Sequence, residues 1–278
     1  MVMITKRSGE QEPFSETKYR TSLRRADVDK KFITLLVAQI KPVLYDGIST
    51  KELYKKTSTL LEKLDRSCAG RYSLKHALRA LGPSGFPFEH LIARLFEHQG
   101  FTVKVGQTIK GKCITHEVDV IAYNKKICHL VECKFHLDAG ERMSVQVPMY
   151  VKSRFEDILQ ATKKPSVIST HEKVNYWVAT NAKLSTQSKE FAQCVGMKLL
   201  AWRYPDKNSL AELIKKYELY PITTLTTLKK IDRIALLTKG IVLCKDIGTQ
   251  HKELKKMGFS QQKIAALIED CKNICSYK

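Results

Sequence analysis

The fold is decided by residues 116–135, which read HEVDVIAYNKKICHLVECKF. Two largely apolar runs, residues 116–123 and 127–135, are separated by the polar residues 124–126. Apolar runs of this length on either side of a short polar stretch predict two antiparallel strands joined by a tight turn. The sequence therefore predicts a β-hairpin near the middle of the chain.

Charged residues interrupt the apolar character of this hairpin. Side chains alternate between the two faces of a strand, so Glu132 and Lys134 share one face while Cys133 lies on the other. The turn brings Asp119, on the first strand, across from this pair. Solvated surface charges are the simpler interpretation, but charges inside strands as apolar as these are unexpected and favour a site.

Two carboxylates and one ammonium in one place suit the hydrolysis of a phosphodiester. Mg²⁺ prefers a few carboxylate oxygens together with water, so Asp119 and Glu132 are the predicted metal ligands. Lys134 is predicted to be catalytic, because its amine can orient or deprotonate water, or offset negative charge in the transition state.

The hairpin belongs to a longer α/β pattern. Working outward, we expect a helix at 88–100, a strand at 101–105, a loop at 106–112, strands at 174–180 and 198–202, and between these two a helix capped by Ser185 or Thr186. A helix, three sequential strands and a strand-helix-strand unit predict a mixed β-sheet flanked by helices.

Glycine and proline mark the predicted domain boundaries. They cluster at residues 81–87, and a weaker break falls at 204–206, which divides the chain into segments 1–82, 83–204 and 205–278. The first segment is expected to be mostly helical after a small hairpin, and from periodicity alone it is simply a basic helical bundle. The last segment is expected to be a small helical appendage. The predicted fold class is therefore α/β with several domains.

Composition restricts the possible partners. The chain has 278 residues and a formal net charge of +20, which favours a polyanion such as nucleic acid or nucleotide. No apolar run is long enough to span a membrane, and Lys6 and Arg7 follow the first few apolar residues, so we expect a cytoplasmic protein without a membrane partner. The 8 cysteines are scattered, which predicts reduced thiols and no disulfide frame.

Two other motifs are weak. Residues 106–113 approach a P-loop, but Cys113 stands where a hydroxyl should bind Mg²⁺, and a strand follows where a helix is needed. Cys113 and His116, with Cys133 and His136, offer zinc-ligand types. Strand alternation, however, turns residues three apart toward opposite faces, which favours buried thiols over a zinc site.

The central motifs resemble a known fold family. Gly85-Phe86-Pro87-Phe88-Glu89, Gly100-Phe101 and the hairpin motifs together resemble the restriction-endonuclease-like fold, in its Mrr-type branch of the PD-(D/E)xK superfamily, over about residues 86–202. The resemblance implies that Asp119 and Glu132 are the metal ligands and Lys134 the catalytic lysine. It also implies an accessory acid at Glu89 and a site glutamine at Gln146.

The N-terminal segment is similar to the ATP-cone, a nucleotide-sensing module, over about residues 2–82. The similarity rests on residues 4–9, Pro13-Phe14, Lys18, residues 45–50 and residues 69–72. Lys6, Arg7 and Lys18 lie near a hairpin and a helix N-terminus, which suits a triphosphate. The similarity adds these further nucleotide contacts: Glu12, Ser15, Thr50 and Arg79.

Together these patterns predict a DNA endonuclease that depends on Mg²⁺ or Mn²⁺ and is regulated by ATP or dATP. The alternative is a regulator without catalysis, in which an inactive nuclease fold binds DNA under nucleotide control. Cutting both strands with one site per chain needs two chains, so we expect a homodimer or a larger homo-oligomer.

Overall fold

The computed structural model describes residues 2–138, 140–161 and 171–275. The strands are β1 (Met3–Thr5), β2 (Gln11–Pro13), β3 (Ile48–Ser49), β4 (Thr102–Lys110), β5 (Thr115–Tyr123), β6 (Ile127–Lys134), β7 (Arg142–Met143), β8 (Lys173–Thr180), β9 (Lys183–Leu184) and β10 (Lys198–Leu200). The helices are α1 (Glu16–Arg24), α2 (Lys30–Ile40), α3 (Thr50–Leu64), α4 (Arg66–Tyr72), α5 (Leu74–Arg79), α6 (Phe86–His98), α7 (Gln146–Ala161), α8 (Thr186–Cys194), α9 (Leu210–Lys216), α10 (Lys230–Thr238), α11 (Cys244–Thr249), α12 (His251–Lys256) and α13 (Gln261–Cys275).

The chain forms two compact units that are not continuous in sequence. Residues 2–77, 222–229 and 247–275 belong to the first unit, and residues 78–221 and 230–246 to the second, among those described. The residues after 205 are helical, as the sequence predicts, but they are divided between the two units. The segments 1–82, 83–204 and 205–278 therefore describe the order along the chain, and as domain limits they remain predictions.

The first unit combines a small sheet with helices. Its strands lie in the order β2-β1-β3, with β1 antiparallel to β2 and parallel to β3. The predicted N-terminal hairpin is confirmed, and Gly9 supplies the positive φ of 86° that its turn requires. Ser15 caps α1, because its Oγ accepts a hydrogen bond from the Lys18 N–H.

The C-terminal helix α13 packs against α4 within this unit. Ile274 Cδ1 and the Thr224 carbonyl oxygen both lie 3.0 Å from where a Cβ on Gly70 would stand. Arg71 donates from Nη1 to the Asn273 carbonyl at 3.3 Å. Helix α13 therefore packs against the helices of the N-terminal segment within this unit.

The second unit contains a five-stranded mixed sheet in the order β10-β8-β6-β5-β4. The pairs β4–β5 and β5–β6 are antiparallel, whereas β6–β8 and β8–β10 are parallel. On one face Phe155 of α7 joins the buried core with Leu130, and on the other the Phe96 ring of α6 contacts His129. The predicted mixed sheet flanked by helices is confirmed. No helix in the described ranges is long and apolar enough to cross a bilayer.

The structure corrects the expectation of a loop at 106–112. β4 continues to Lys110, because the β5 residues up to Thr115 remain paired with it. Gly106, with φ of 59°, interrupts this strand without ending it. A strand at this place leaves no helix N-terminus after the glycines, which agrees with the rejection of a P-loop.

The link between β4 and β5 is fixed by one carboxylate on α7. Asp157 accepts hydrogen bonds from the Cys113 N–H at 2.8 Å and the Ile114 N–H at 3.3 Å, and it contacts His116 Nε2 at 2.7 Å. These contacts hold the pKa of Asp157 well below its ordinary value, despite the opposing effect of desolvation. The free backbone N–H groups of the link are thereby satisfied.

We expect Gly111→Ala to destabilise the second unit by about 1–3 kcal/mol, as overpacking commonly does. The added Cβ would overlap the Asp157 carboxylate and lie 2.7 Å from the Ile114 carbonyl oxygen. Urea unfolding measures the change. Gly248→Ala is the control, because a Cβ there meets nothing within 4 Å, and equal effects of the two substitutions would contradict the prediction.

Candidate active site and nucleotide site

The backbone of the central hairpin places Asp119 opposite Glu132. Val120 pairs with Val131, and the same register continued by one residue sets the two acids across from each other. The Cys133 N–H donates to Asp119 Oδ2 at 2.6 Å, so this carboxylate is tied to the strand that carries Glu132. The turn forms as the sequence predicts, because Asn124 Oδ1 accepts the N–H groups of Lys126 and Ile127 at 3.0 Å each.

The two carboxylates share a poorly solvated environment. Burial raises the pKa of Glu132 to about 7, the Asp119 charge adds to this, and Arg154 and Lys134 oppose it. Burial also raises the pKa of Asp119, against the hydrogen bond from Cys133 and the charge of Arg154. Two crowded acids with hard oxygen donors are the chemistry that a divalent cation stabilises.

Arg154 of α7 is a site residue that the sequence reasoning missed. Its Nη1 donates to Glu132 Oε2 at 2.6 Å, and its Nη2 donates to the Glu117 carbonyl oxygen. Its Cζ lies 5.1 Å from the centre of the Tyr150 ring. The signal was available in Val151, Phe155 and Ile158, which are buried at helical spacing and predict α7.

Glu89 and Lys134 also lie at this site. Glu89 is in the first turn of α6, and burial, with the charges of Asp119 and Glu117, raises its pKa to about 7. Lys134 is exposed at the end of β6, and its charge lowers the pKa of both Asp119 and Glu132. The structure thus brings together four of the five predicted catalytic residues.

Gln146, the fifth, is the exposed first residue of α7. Residues four apart lie on one face of a helix, so Gln146, Tyr150 and Arg154 form a stripe along α7. Arg154 is at the site, and this stripe therefore leads from the site toward Gln146. The role of Gln146 in the site stays a prediction.

The cysteine and histidine pairs do not form a zinc site. His116 contacts Asp157, and His136 Nδ1 contacts Glu141 Oε2 at 2.5 Å. Cys133 is buried, and desolvation together with nearby carboxylates raises the pKa of its thiol. Within the described ranges, no group of three or more His, Cys, Asp or Glu side chains is arranged to hold a metal. A cation between Asp119 and Glu132 would therefore keep water ligands, as Mg²⁺ does.

We expect the metal-free protein to lose stability as pH rises from about 4.5 to about 7, through Glu132. In this window the unfolded chain carries an ionised Glu132, whereas the folded chain retains the proton because its pKa is raised to about 7. Glu132→Gln should remove this dependence. The free energy of unfolding of the variant, relative to that of the wild type, should therefore increase by about 1–3 kcal/mol when the pH rises from about 5 to about 8.

Urea unfolding at both pH values measures this difference. Glu190→Gln, which changes an exposed glutamate on α8 of the same unit, serves as the control. His129 acts in the opposite direction, since burial lowers its pKa to about 4, but it is present in every variant and cancels in the difference. Parallel pH profiles for the wild type and Glu132→Gln would show that Glu132 does not hold the proton.

A basic cluster in the first unit contains most of the predicted nucleotide residues. Glu12 Oε2 accepts from Lys6 Nζ at 2.9 Å and from Lys18 Nζ at 3.0 Å. Both lysines lower the pKa of Glu12, and Glu12 raises that of Lys6. Ser15 is one turn before Lys18 and receives its backbone N–H. Lys6 Nζ also lies 3.3 Å from Glu10 Oε2, so the two ammonium groups are paired with two carboxylates, and Arg7 in the neighbouring turn adds a further positive charge.

The remaining nucleotide residues are placed less tightly. Thr50 begins α3 directly after Ser49, which pairs with Thr5, the residue before Lys6. Arg7 is exposed in the turn between β1 and β2. Arg79 ends α5 and belongs to the second unit, and its role in nucleotide binding stays a prediction.

Comparisons with known proteins agree with this organisation. Three family models match the chain: the ATP cone domain over residues 2–80, a restriction endonuclease domain of Mrr type over 82–214, and AF1548-like, C-terminal over 220–275. The chain therefore carries an ATP-cone followed by a restriction-endonuclease domain, as the sequence resemblances predicted.

Comparisons with individual proteins and solved structures identify the family. An uncharacterized protein of Archaeoglobus fulgidus is 33% identical over 184 residues, which are 66% of this chain and 99% of that protein. The crystal structure of AF1548, a protein of unknown function, is 30% identical with a TM-score of 0.56, covering 69% of this chain and 98% of that one. This chain belongs to the AF1548-like family.

A second solved structure is more distant. MspJI restriction endonuclease in complex with a 27-mer oligonucleotide matches with 14% identity and a TM-score of 0.29, covering 61% of this chain and 40% of that one. A match at this level does not establish a shared fold.

Proposed function

We propose that this protein is a cytoplasmic DNA endonuclease that depends on Mg²⁺ or Mn²⁺ and is controlled by ATP or dATP bound to the ATP-cone. The observation that carries the proposal is the pairing of Asp119 with Glu132 on the central hairpin, with Lys134 on the same strand as Glu132. This pairing lies within the segment that matches a restriction endonuclease domain.

Asp119 and Glu132 are the residues proposed to hold the metal. Both side chains offer hard oxygen donors, and their raised pKa values reflect a site in which negative charge is poorly stabilised. A divalent cation bound there would act as a Lewis acid on the scissile phosphate. The hydrogen bond from the Cys133 N–H orients the Asp119 carboxylate for this role.

Lys134 is proposed to act on the reacting atoms. The Lys134 side chain is exposed at the end of β6 and is not packed in the sheet core. Its positive charge lies close enough to act on both Asp119 and Glu132. From this position Nζ donates a hydrogen bond to the attacking water or to a phosphate oxygen, where its charge offsets the negative charge of the transition state. Glu89, half-buried beside Asp119, is proposed to accept or deliver a proton near neutral pH.

DNA is the proposed substrate because of charge. A net charge of +20 favours a polyanion, and phosphate contacts by lysine and arginine supply salt-dependent affinity. Gln146 and Tyr150 are exposed on the α7 stripe that leads to the site, where they are available to a DNA strand. We further propose that the protein acts as a homodimer or larger homo-oligomer, which mass measurement with and without nucleotide would test.

The direct test is cleavage of plasmid DNA by the purified chain with Mg²⁺ or Mn²⁺, in the presence and absence of ATP and dATP. Nicked or linear products that disappear when EDTA is added support the proposal. Plasmid that stays intact with either metal and either nucleotide, although it is bound, would instead favour the regulator without catalysis. Cleavage that is the same at every nucleotide concentration would contradict the control by the ATP-cone.

A further inference from the structure

Arg154 occupies one of the two carboxylate oxygens of Glu132. Its Nη1 lies 2.6 Å from Glu132 Oε2, and the side chains are only 11% and 12% exposed. A guanidinium and a divalent cation repel each other strongly at such short range in a poorly solvated site. A metal ion bound by Glu132 is therefore repelled by Arg154, and a metal ion that takes Oε2 displaces the guanidinium from it.

Beyond Glu132, the Arg154 guanidinium has a backbone carbonyl oxygen and an aromatic ring as neighbours. The Glu117 carbonyl oxygen holds it from one side, and the Tyr150 ring lies near it. Tyr150 is 54% exposed, so the stripe of α7 that carries Arg154 is open to a ligand. A guanidinium that loses a carboxylate is well suited to bind a phosphate, whose oxygens match its fork of N–H donors.

We propose that Arg154 is a positioning residue that neutralises Glu132 until substrate DNA draws it onto a phosphate, which couples metal binding to DNA binding. This inference rests on the nuclease function proposed above. Without DNA, Arg154 competes with the metal for Glu132. With DNA, the guanidinium shifts to the backbone phosphate and the carboxylate becomes available. Couplings of this kind are commonly about 5- to 150-fold in affinity, and they are reciprocal.

The test is a titration of the full chain with Mn²⁺, in which the EPR signal of the free ion measures how much metal is bound. Without DNA, Arg154→Met should bind Mn²⁺ about tenfold more tightly than the wild type, since the competing cation is lost while its apolar stem is kept. Arg154→Lys should restore part of the competition. Lys152→Met is the matched control, because it removes a cation from the same helix that pairs instead with Glu156.

The second arm adds duplex DNA in a Lys134→Ala background, where cleavage is suppressed. DNA should tighten Mn²⁺ binding about tenfold when Arg154 is present and leave it nearly unchanged in Arg154→Met. A merely structural role for Arg154 would weaken Mn²⁺ binding on substitution, and urea unfolding of each variant reports on the fold.

The outcomes separate this inference from the proposed function. Equal Mn²⁺ affinity of the wild type and Arg154→Met, or weaker binding by Arg154→Met, overturns the inference while the metal site stands. Absence of Mn²⁺ binding in both proteins, with and without DNA, overturns the proposed metal site and the inference with it. Tighter binding by Arg154→Met that Glu132→Gln abolishes supports both.

Discussion

Lys134→Ala is expected to reduce the rate of DNA cleavage by about 100- to 1,000-fold, the usual cost of removing one charged donor from a developing anion. Lys134 lies at the end of β6, two residues after Glu132, and is exposed. Its removal takes away the ammonium without disturbing the sheet core. Time courses of supercoiled plasmid cleavage in Mg²⁺ measure the rate, and DNA binding is measured separately by fluorescence anisotropy.

The matched control for this substitution is Lys125→Ala. Lys125 is exposed in the turn at the closed end of the same hairpin, away from Asp119 and Glu132. It reports the effect of losing one positive charge from the hairpin without touching the site. Cleavage by Lys134→Ala at the rate of Lys125→Ala would remove Lys134 from the mechanism. Equal DNA affinity of the two variants, with only the rate lost in Lys134→Ala, is the expected pattern.

Lys6→Ala is expected to weaken ATP binding by about 10- to 100-fold, since a hydrogen bond to a charged group contributes about 1.5–3 kcal/mol. Lys6 and Lys18 both pair with Glu12, and Lys6 also pairs with Glu10, so these contacts to carboxylates are exchanged for contacts to phosphate when a nucleotide binds. A triphosphate would take both ammonium groups as donors. Isothermal titration of ATP and dATP into the full chain measures the affinity.

Lys63→Ala provides the control for the nucleotide prediction. Lys63 is exposed near the end of α3, whereas Thr50 begins that helix directly after the strand residue that pairs with Thr5. The control should bind ATP as the wild type does. ATP affinity unchanged in Lys6→Ala would place the nucleotide elsewhere in the chain, and the basic cluster would then be a set of surface ion pairs.

The hairpin and its acids are predictable because local rules determine them. The turn at 124–126 is fixed by Asn124, and alternation fixes the faces of Glu132 and Lys134 once the strand is known. The opposition of Asp119 and Glu132 then follows from the length of the turn. These features depend on residues close together in sequence, so they need no knowledge of the remaining chain.

Arg154 is not predictable in the same way. Its role depends on how α7 packs over the sheet, which places a residue 22 positions after Glu132 within hydrogen-bonding distance of it. The sequence reasoning did not predict α7, and although the apolar spacing of its buried residues indicates a helix, it does not specify which cation of that helix meets the carboxylate. Lys152, two residues earlier, pairs with Glu156 on the same helix instead.

The final helices illustrate a different limit. Periodicity predicts α10 and α13 as amphipathic helices, yet it does not say which core their apolar faces join. The structure assigns α13 to the first unit, where it contacts α4, and α10 to the second. Such assignments depend on contacts between residues about 200 positions apart, as between Arg71 and Asn273.

Because α13 packs on α4 in the first unit, we expect that the ATP-cone segment does not fold stably as an isolated fragment. A recombinant fragment ending near residue 80 would lack Ile274 and leave the surface around Gly70 uncovered. Limited proteolysis between α12 and α13 should likewise loosen the amino-terminal region, although the two sites are at opposite ends of the polypeptide.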